Sequence, residues 1–253
     1  MSRKVNSILI MTLIGVIMLL SNCKNSAKEQ EQVLLKGYAL SQAASDYKTT
    51  TTLLTQLVAL DSIQYAWAVD TLAYYHFINA KFNSDAAELS AASFFVKRGL
   101  EQNPDNLMLN ILQSDVQLLG RKDTAAIETL EKAYGKTKSE VYKYFLAQAY
   151  ATSGRIELSD SMINEGLNGS DSLITKISIQ NEINRGWQSV SKKAAYLFLK
   201  ANYVFSYEFK GDEKSAIKGL SLMNDCLRIE PDFVMAQAYL FQVSQKLQEM
   251  GFR

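Results

Sequence analysis

Apolar residues recur at helical spacing along nearly the whole chain, and the breaks in that spacing divide it into paired segments. From Gln32 to Tyr47, the residues Val33, Leu34, Tyr38, Ala39, Ala43 and Ala44 predict a first helix. A threonine run from Thr49 to Thr52 precedes Leu53, Leu54, Leu57, Val58 and Leu60 and reads as the N-cap of a second. Tyr65-Ala66-Trp67 opens a longer helix through Leu72, Ala73, Tyr75 and Phe82, and its partner runs from Asp85 to Gln102. Beyond Ser170 to Ser172, which read as a cap, Leu173, Ile174, Ile177, Ile183 and Trp187 predict another helix, with residues 188–193 as a loop. Residues 194–209 hold Tyr196, Phe198, Tyr203, Phe205, Tyr207 and Phe209, whose directions on a single helix cover more than one face. These rings are expected to pack on the next hairpin; the alternative is a partner-binding or membrane-facing surface. Phe233 to Met250 reads as a closing helix. No segment competes as a strand, so the chain reads as all-α, with about twelve helices in about five or six hairpins.

Between residues 106 and 171 one pattern occurs twice at a spacing of 34: Leu112 with Leu146, Gly120 with Gly154, and Asn110 with Tyr144. The second copy reads Leu146-Ala147-x-x-Tyr150-x-x-x-Gly154-x-x-x-x-Ser159-x-x-x-Ile163-x-x-Gly166, and the first carries one extra residue at Ala125-Ala126. A further frame, Ala92-x-x-x-Val96-x-x-Gly99-Leu100-x-x-x-Pro104, returns as Gly219-x-x-x-Met223-x-x-Cys226-Leu227-x-x-x-Pro231, so both prolines of the chain fall in one slot. Small residues allow two helices to approach, and a proline beyond the second helix forces the next turn. The pattern resembles the helix-turn-helix signature of tetratricopeptide repeats. That resemblance implies an α-solenoid over residues 33–253 whose first helices line a concave groove. The groove positions it implies for partner binding are Asn110 and Ser114 in one copy, and Tyr144 and Gln148 in the other. With one Asn and no Lys among these four, the carboxylate clamp known in part of the family is not implied.

The amino terminus has its own pattern. Arg3 and Lys4 precede an apolar run from Ile8 to Leu20, shorter than the roughly 20 residues that span a bilayer comfortably, and Leu20-Ser21-Asn22-Cys23 follows. The ending resembles the lipobox of bacterial lipoproteins, although Asn22 stands where Gly, Ala or Ser is usual. The resemblance implies that residues 1–22 are a lipoprotein signal peptide, that Cys23 is acylated, and that residues 23–32 are a tether. Lys24, where an Asp would mark inner-membrane retention, implies the outer membrane and a periplasm-facing domain.

Composition narrows the chemistry. With 27 basic and 26 acidic residues in a chain of 253, there is no global field for nucleic acid. Two cysteines, Cys23 and Cys226, give no disulfide framework, and Cys226 lies on an apolar helical face as a core residue. His76 is the sole histidine and has no partner at metal-ligand spacing, so no metal is expected. Gly135-Lys136-Thr137 lacks the glycine a P-loop needs five residues earlier, where Leu130 stands, and no Gly-x-Ser-x-Gly elbow occurs. Neither catalysis nor a cofactor is expected. The function that emerges is a lipid-anchored scaffold or adaptor that binds protein partners of the cell envelope, analogous to the repeat lipoproteins of outer-membrane assembly. The alternative is an envelope lipoprotein that binds a glycan, peptidoglycan or another small ligand, with Trp67, Tyr74 or Trp187 as stacking platforms.

Overall fold

The computed structural model describes residues 27–181 and 186–252, so the signal segment, Cys23 and its lipobox lie outside the described residues. The fold is all-α, a helical-repeat architecture in which consecutive helices pack on their neighbours. Helix α1 covers 27–43 and therefore begins inside the segment expected to be tether. It is followed by α2 (Tyr47–Leu60), α3 (Ala66–Asn83), α4 (Ala86–Gln102), α5 (Leu107–Leu119), α6 (Asp123–Thr137), α7 (Glu140–Thr152) and α8 (Ile156–Asn168). A two-stranded antiparallel hairpin, β1 (Lys176–Asn181) and β2 (Gly186–Ser191), comes next. The chain ends with α9 (Lys192–Tyr203), a π-helical turn (Val204–Glu208), α10 (Glu213–Ile229) and α11 (Val234–Glu249).

The chain forms two compact units that divide inside α3, between Tyr75 and His76. In the first, Leu34, Leu54, Leu57, Val69 and Leu72 are buried. The Gln42 amide donates to the Tyr75 hydroxyl at 2.6 Å. Asp46, not a threonine, caps α2 by accepting from the Thr49 N–H at 3.1 Å. The threonine run lies within the helix, where Thr50 and Thr51 satisfy their hydroxyls on the carbonyls of Asp46 and Tyr47. In the second unit the core runs from Ile111 and Ile127 through Phe145, Ile163, Tyr196 and Met223 to Phe233.

One turn recurs between first and second helices. The N–H groups of Asp46, Asp85, Lys122 and Arg155 each bond to the carbonyl five residues back, on Ser41, Ala80, Gln117 and Tyr150. The residue before each is left-handed: Ser45, Ser84, Arg121 and Gly154, with φ of 54°, 53°, 58° and 77°. This six-to-one closure satisfies carbonyls at the helix end and favours glycine at the left-handed position. The turn also fixes the register. Arg121, not Gly120, corresponds to Gly154, and Gly120 corresponds to Ser153. The repeat is therefore 33 residues, not 34, and α5 and α7 begin 33 apart. Ala126 and Ser159, Leu130 and Ile163, and Ala133 and Gly166 keep the same interval, so no extra residue is needed at Ala125-Ala126.

Both prolines sit in a second recurring turn. The C-cap N–H groups of Asn103 and Glu230 bond back to Gly99 and Cys226, and the Pro104 and Pro231 carbonyls accept from Asn110 at 3.0 Å and Gln237 at 2.6 Å. Close approach of helices depends on glycine at two points. A Cβ on Gly166 would lie 2.3 Å from the Tyr196 ring, and one on Gly219 would lie 2.5 Å from Phe205.

The hairpin replaces the helix predicted through Ile177 and Trp187, and β2 and the start of α9 replace the predicted loop at 188–193. Ile177 and Ile179 alternate with polar residues and pair across the ladder with Val190 and Gln188. That strand pattern is obscured by Leu173 and Ile174, which add apparent helical spacing but are 58% and 83% exposed. Ile183 lies outside the described residues. The hairpin is clamped to the turn between α10 and α11. Gln188 donates to the Asp232 carbonyl at 2.6 Å and accepts from the Val234 N–H at 3.1 Å. The Ser191 N–H donates to Glu230 at 3.0 Å, and Lys176 pairs with the same carboxylate at 3.2 Å. At its base, Lys192 reaches Asp171 at 2.6 Å.

Gly166→Ala and Gly219→Ala are each expected to destabilise by about 1–3 kcal/mol through overpacking, whereas Arg121→Gly relieves a left-handed Cβ and stabilises by about 0.5–1 kcal/mol. Urea denaturation of the three variants reads both signs.

Acid should loosen the hairpin. The Lys192 and Thr175 hydrogen bonds hold the Asp171 carboxyl below its ordinary range. Burial pushes Glu230 up, but the Ser191 and Lys176 hydrogen bonds outweigh it and leave it lowered. A carboxylate with a lowered folded pKa stabilises fully above its unfolded value, about 4, and that contribution disappears as pH falls through the folded value. Trp187 fluorescence on acid titration should therefore change below about pH 4, and Glu230→Gln should remove the Glu230 part of the transition.

Candidate functional site

The second unit holds a partly open cavity of about 570 Å³, within the roughly 300–1,000 Å³ of small-ligand sites. Its first wall is α7. Ser139 caps this helix through the Val141 N–H, and from there Tyr144 and Gln148, one helical turn apart, face the space. In α5 the residue 33 before Gln148 is Asp115, and it lines the same cavity. Strand β1 adds Ile179 and Gln180, and the Gln180 amide donates to the Asp115 carboxylate at 2.7 Å. The last turns of α3 contribute Phe77, Lys81 and Phe82, and α11 contributes Met235, Ala238, Tyr239 and Gln242.

The remaining wall comes from the aromatic segment. Tyr196 is fully buried over Gly166, with its ring 5.6 Å from Tyr144, and Phe198 packs 5.0 Å from Phe233. After Tyr203 the helix widens into the π turn, where the Phe209 N–H bonds to the Val204 carbonyl at 2.8 Å. One extra residue in the turn rotates the side chains beyond it. Phe205 consequently covers Gly219 and Phe209 meets Phe252, while Tyr203, Ser206 and Tyr207 line the cavity. The Tyr203 and Tyr207 rings lie 5.6 Å apart at 33°. This turn lets one segment serve two faces.

Charge in the lining is balanced: among the described residues, Lys81 and Asp115 are its only ionic side chains. Burial raises the Tyr144, Tyr203 and Tyr207 phenols, and it raises Tyr239 against a hydrogen bond from Ser206. These hydroxyls therefore stay protonated at neutral pH and can both donate and accept.

Of the four groove residues assigned by resemblance, Tyr144 and Gln148 line the cavity. Asn110 and Ser114 do not. Asn110 ties its amide to the Pro104 and Asn106 carbonyls, and Ser114 is 1% exposed. Ser114 occupies the place that Ala147 takes in the next repeat, where Ser159 donates to the Ala147 carbonyl at 2.8 Å. The displacement is the one-residue register error. The 33-residue counterparts of Tyr144 and Gln148 are Ile111 and Asp115, and the matched pairs Ala126 and Ser159, and Leu130 and Ile163, carried that register in the sequence. Cys23 lies outside the described residues.

The aromatic platforms proposed from sequence lie elsewhere. Trp67 is 40% exposed and packs 5.2 Å from Tyr38, Tyr74 is buried, and Trp187 sits on β2 with its ring 6.3 Å from Phe145. His76 stacks flat on Phe95 and holds Nδ1 2.7 Å from Glu88. Cys226 is buried with Sγ donating to the Ala194 carbonyl at 3.2 Å, and burial pushes its thiol up to about 12. Among the described residues, no three His, Cys, Asp or Glu side chains gather where they could hold a metal ion, and no helix is long and apolar enough to cross a membrane.

No protein-family model matches the chain, and no curated protein matches it. What fold and site define is a class: an all-α helical-repeat protein with an aromatic cavity bordered by uncharged amides.

Proposed function

We propose that the protein is a lipid-anchored helical-repeat adaptor, of the tetratricopeptide type its second repeat resembles, which binds protein partners in the cell envelope and serves the assembly of an outer-membrane complex. The observation that supports this most is the cavity itself. Its walls include α3, α5, α7 and α9, successive first helices of the array, beside β1, the π turn and α11, and they combine buried rings with amides that can engage an incoming segment. Leu20-Ser21-Asn22-Cys23 supports the anchor. Each buried acyl methylene would contribute about 0.8 kcal/mol, so a multiply acylated Cys23 would hold the domain at the membrane without a spanning helix.

A second reading is favoured by one feature. Strand β1 forms part of the cavity wall, which bounds the space on that side and suits a compact ligand: a glycan, a peptidoglycan fragment or another small molecule.

In-cell photocrosslinking tests the adaptor. A photoreactive phenylalanine analogue at Gln148 or Gln242 should yield a reproducible protein adduct, and one at Ser90, exposed on α4, should not. Cys23→Ala should move the protein out of the membrane fraction and lower the adduct yield several-fold. Failure to recover any protein adduct from either cavity position would remove the adaptor reading.

A further inference from the structure

We infer that the cavity binds a single uncharged sugar ring, stacked on the Tyr203 and Tyr207 pair and held at its edge by Gln148 and Gln242; the inference rests on the small-ligand reading. The π turn is the first ground for it. A π-helical turn is rare and occurs mostly as a single turn within or beside an α-helix, frequently at functional sites. Here it sets Tyr203 and Tyr207 against the cavity as a tilted pair, with Tyr207 44% exposed and Phe82, 61% exposed, also in the lining. A pyranose carries C–H groups on its faces and hydroxyls around its edge. It therefore needs what an exposed tyrosine offers, an apolar face beside a polar tip.

The amides are the second ground. Gln148 and Gln242 line the cavity, and among the described residues neither side-chain amide is engaged by another residue. Asn202, by contrast, is tied to the Phe198 carbonyl at 3.1 Å, and Gln180 to Asp115. An amide presents donor and acceptor side by side, which matches a hydroxyl that needs both. A wholly apolar ligand would strip water from these groups and leave them unpaired.

Charge and shape exclude the competing classes. Among the described residues the lining has one cation and one anion, and the anion is already engaged by Gln180, so they form no cluster of positive charge for a phosphate or carboxylate. The β1 wall is fixed, because Gln188 and Glu230 clamp the hairpin to the turn between α10 and α11. A space of about 570 Å³ walled by β1 on one side favours a single ring over a long extended chain.

The test is calorimetric titration of the full-length protein with glucose, N-acetylglucosamine and its β-1,4-linked dimer. Glucuronic acid and glucosamine serve as charged counterparts, and N-acetylphenylalaninamide as a neutral aromatic probe. At least one uncharged sugar should bind, at least tenfold more tightly than the charged sugars. Tyr207→Ala and Gln148→Ala should each weaken it tenfold or more with little change in melting temperature, and Ala238→Trp, which fills the cavity from a half-buried position, should abolish it. Absence of binding by every uncharged sugar overturns the inference, as does binding that survives both Tyr207→Ala and Ala238→Trp, or preference for a charged sugar. If only the aromatic amide binds, with the same response to the variants, the sugar assignment fails and the small-ligand reading stands. Silence from sugars and amide alike removes both.

Discussion

The arrangement of the second unit depends on how the β1–β2 hairpin is held. Ile177, Ile179 and Val190 are buried in the main core, so the hairpin is part of the packing and not an ornament on it. Its polar anchors are directional. The Gln188 amide engages both a carbonyl and an N–H of the turn around Pro231, and Glu230 takes the Ser191 N–H and the Lys176 ammonium. These anchors are exposed or part-buried, so losing one costs about 0.5–1.5 kcal/mol, the net worth of an ordinary hydrogen bond. The same hairpin sends Gln180 to Asp115 and supplies one cavity wall, so the fold and the candidate site share a single constraint.

Glycine and left-handed turns do the complementary work of setting helix spacing. Gly166 and Gly219 admit the rings of Tyr196 and Phe205 where a methyl group would collide. Interiors are packed densely enough that one methyl at such a point is felt. Ser45, Ser84, Arg121 and Gly154 close the turns in one geometry although only one of them is glycine. The backbone bond to the fifth residue back, not residue identity, marks the repeat.

That difference explains what could be read in the sequence. Helix periodicity, the two prolines and the small residues before them were legible because their causes are local. The 34-residue interval followed matching letters, Leu112 with Leu146 and Gly120 with Gly154, whereas the turns and crossings of this central pair of repeats lie 33 apart through unlike residues such as Arg121 and Gly154. Tyr144 and Gln148 were reachable because the second copy is the more regular. Asp115 was missed by one position. The hairpin was hidden because its anchors lie 44 and 54 residues away in sequence, at Asp232 and Glu230. The excess of rings at 194–209 was visible, but their directions depend on a π turn that no spacing rule announces. Trp67, Tyr74 and Trp187 were attractive by residue type alone, and the cavity uses other rings.

The proposed functions differ in what enters the cavity, and the small-ligand reading requires that its β1 wall be permanent. Native-state hydrogen exchange tests this most directly, because amides opened only by global unfolding exchange with the full unfolding free energy. The account predicts that the amides of β1 that bond to β2 share the protection of the α9 core, around Tyr196 to Leu199. Exchange of those strand amides at loop-like rates while α9 stays protected would contradict it.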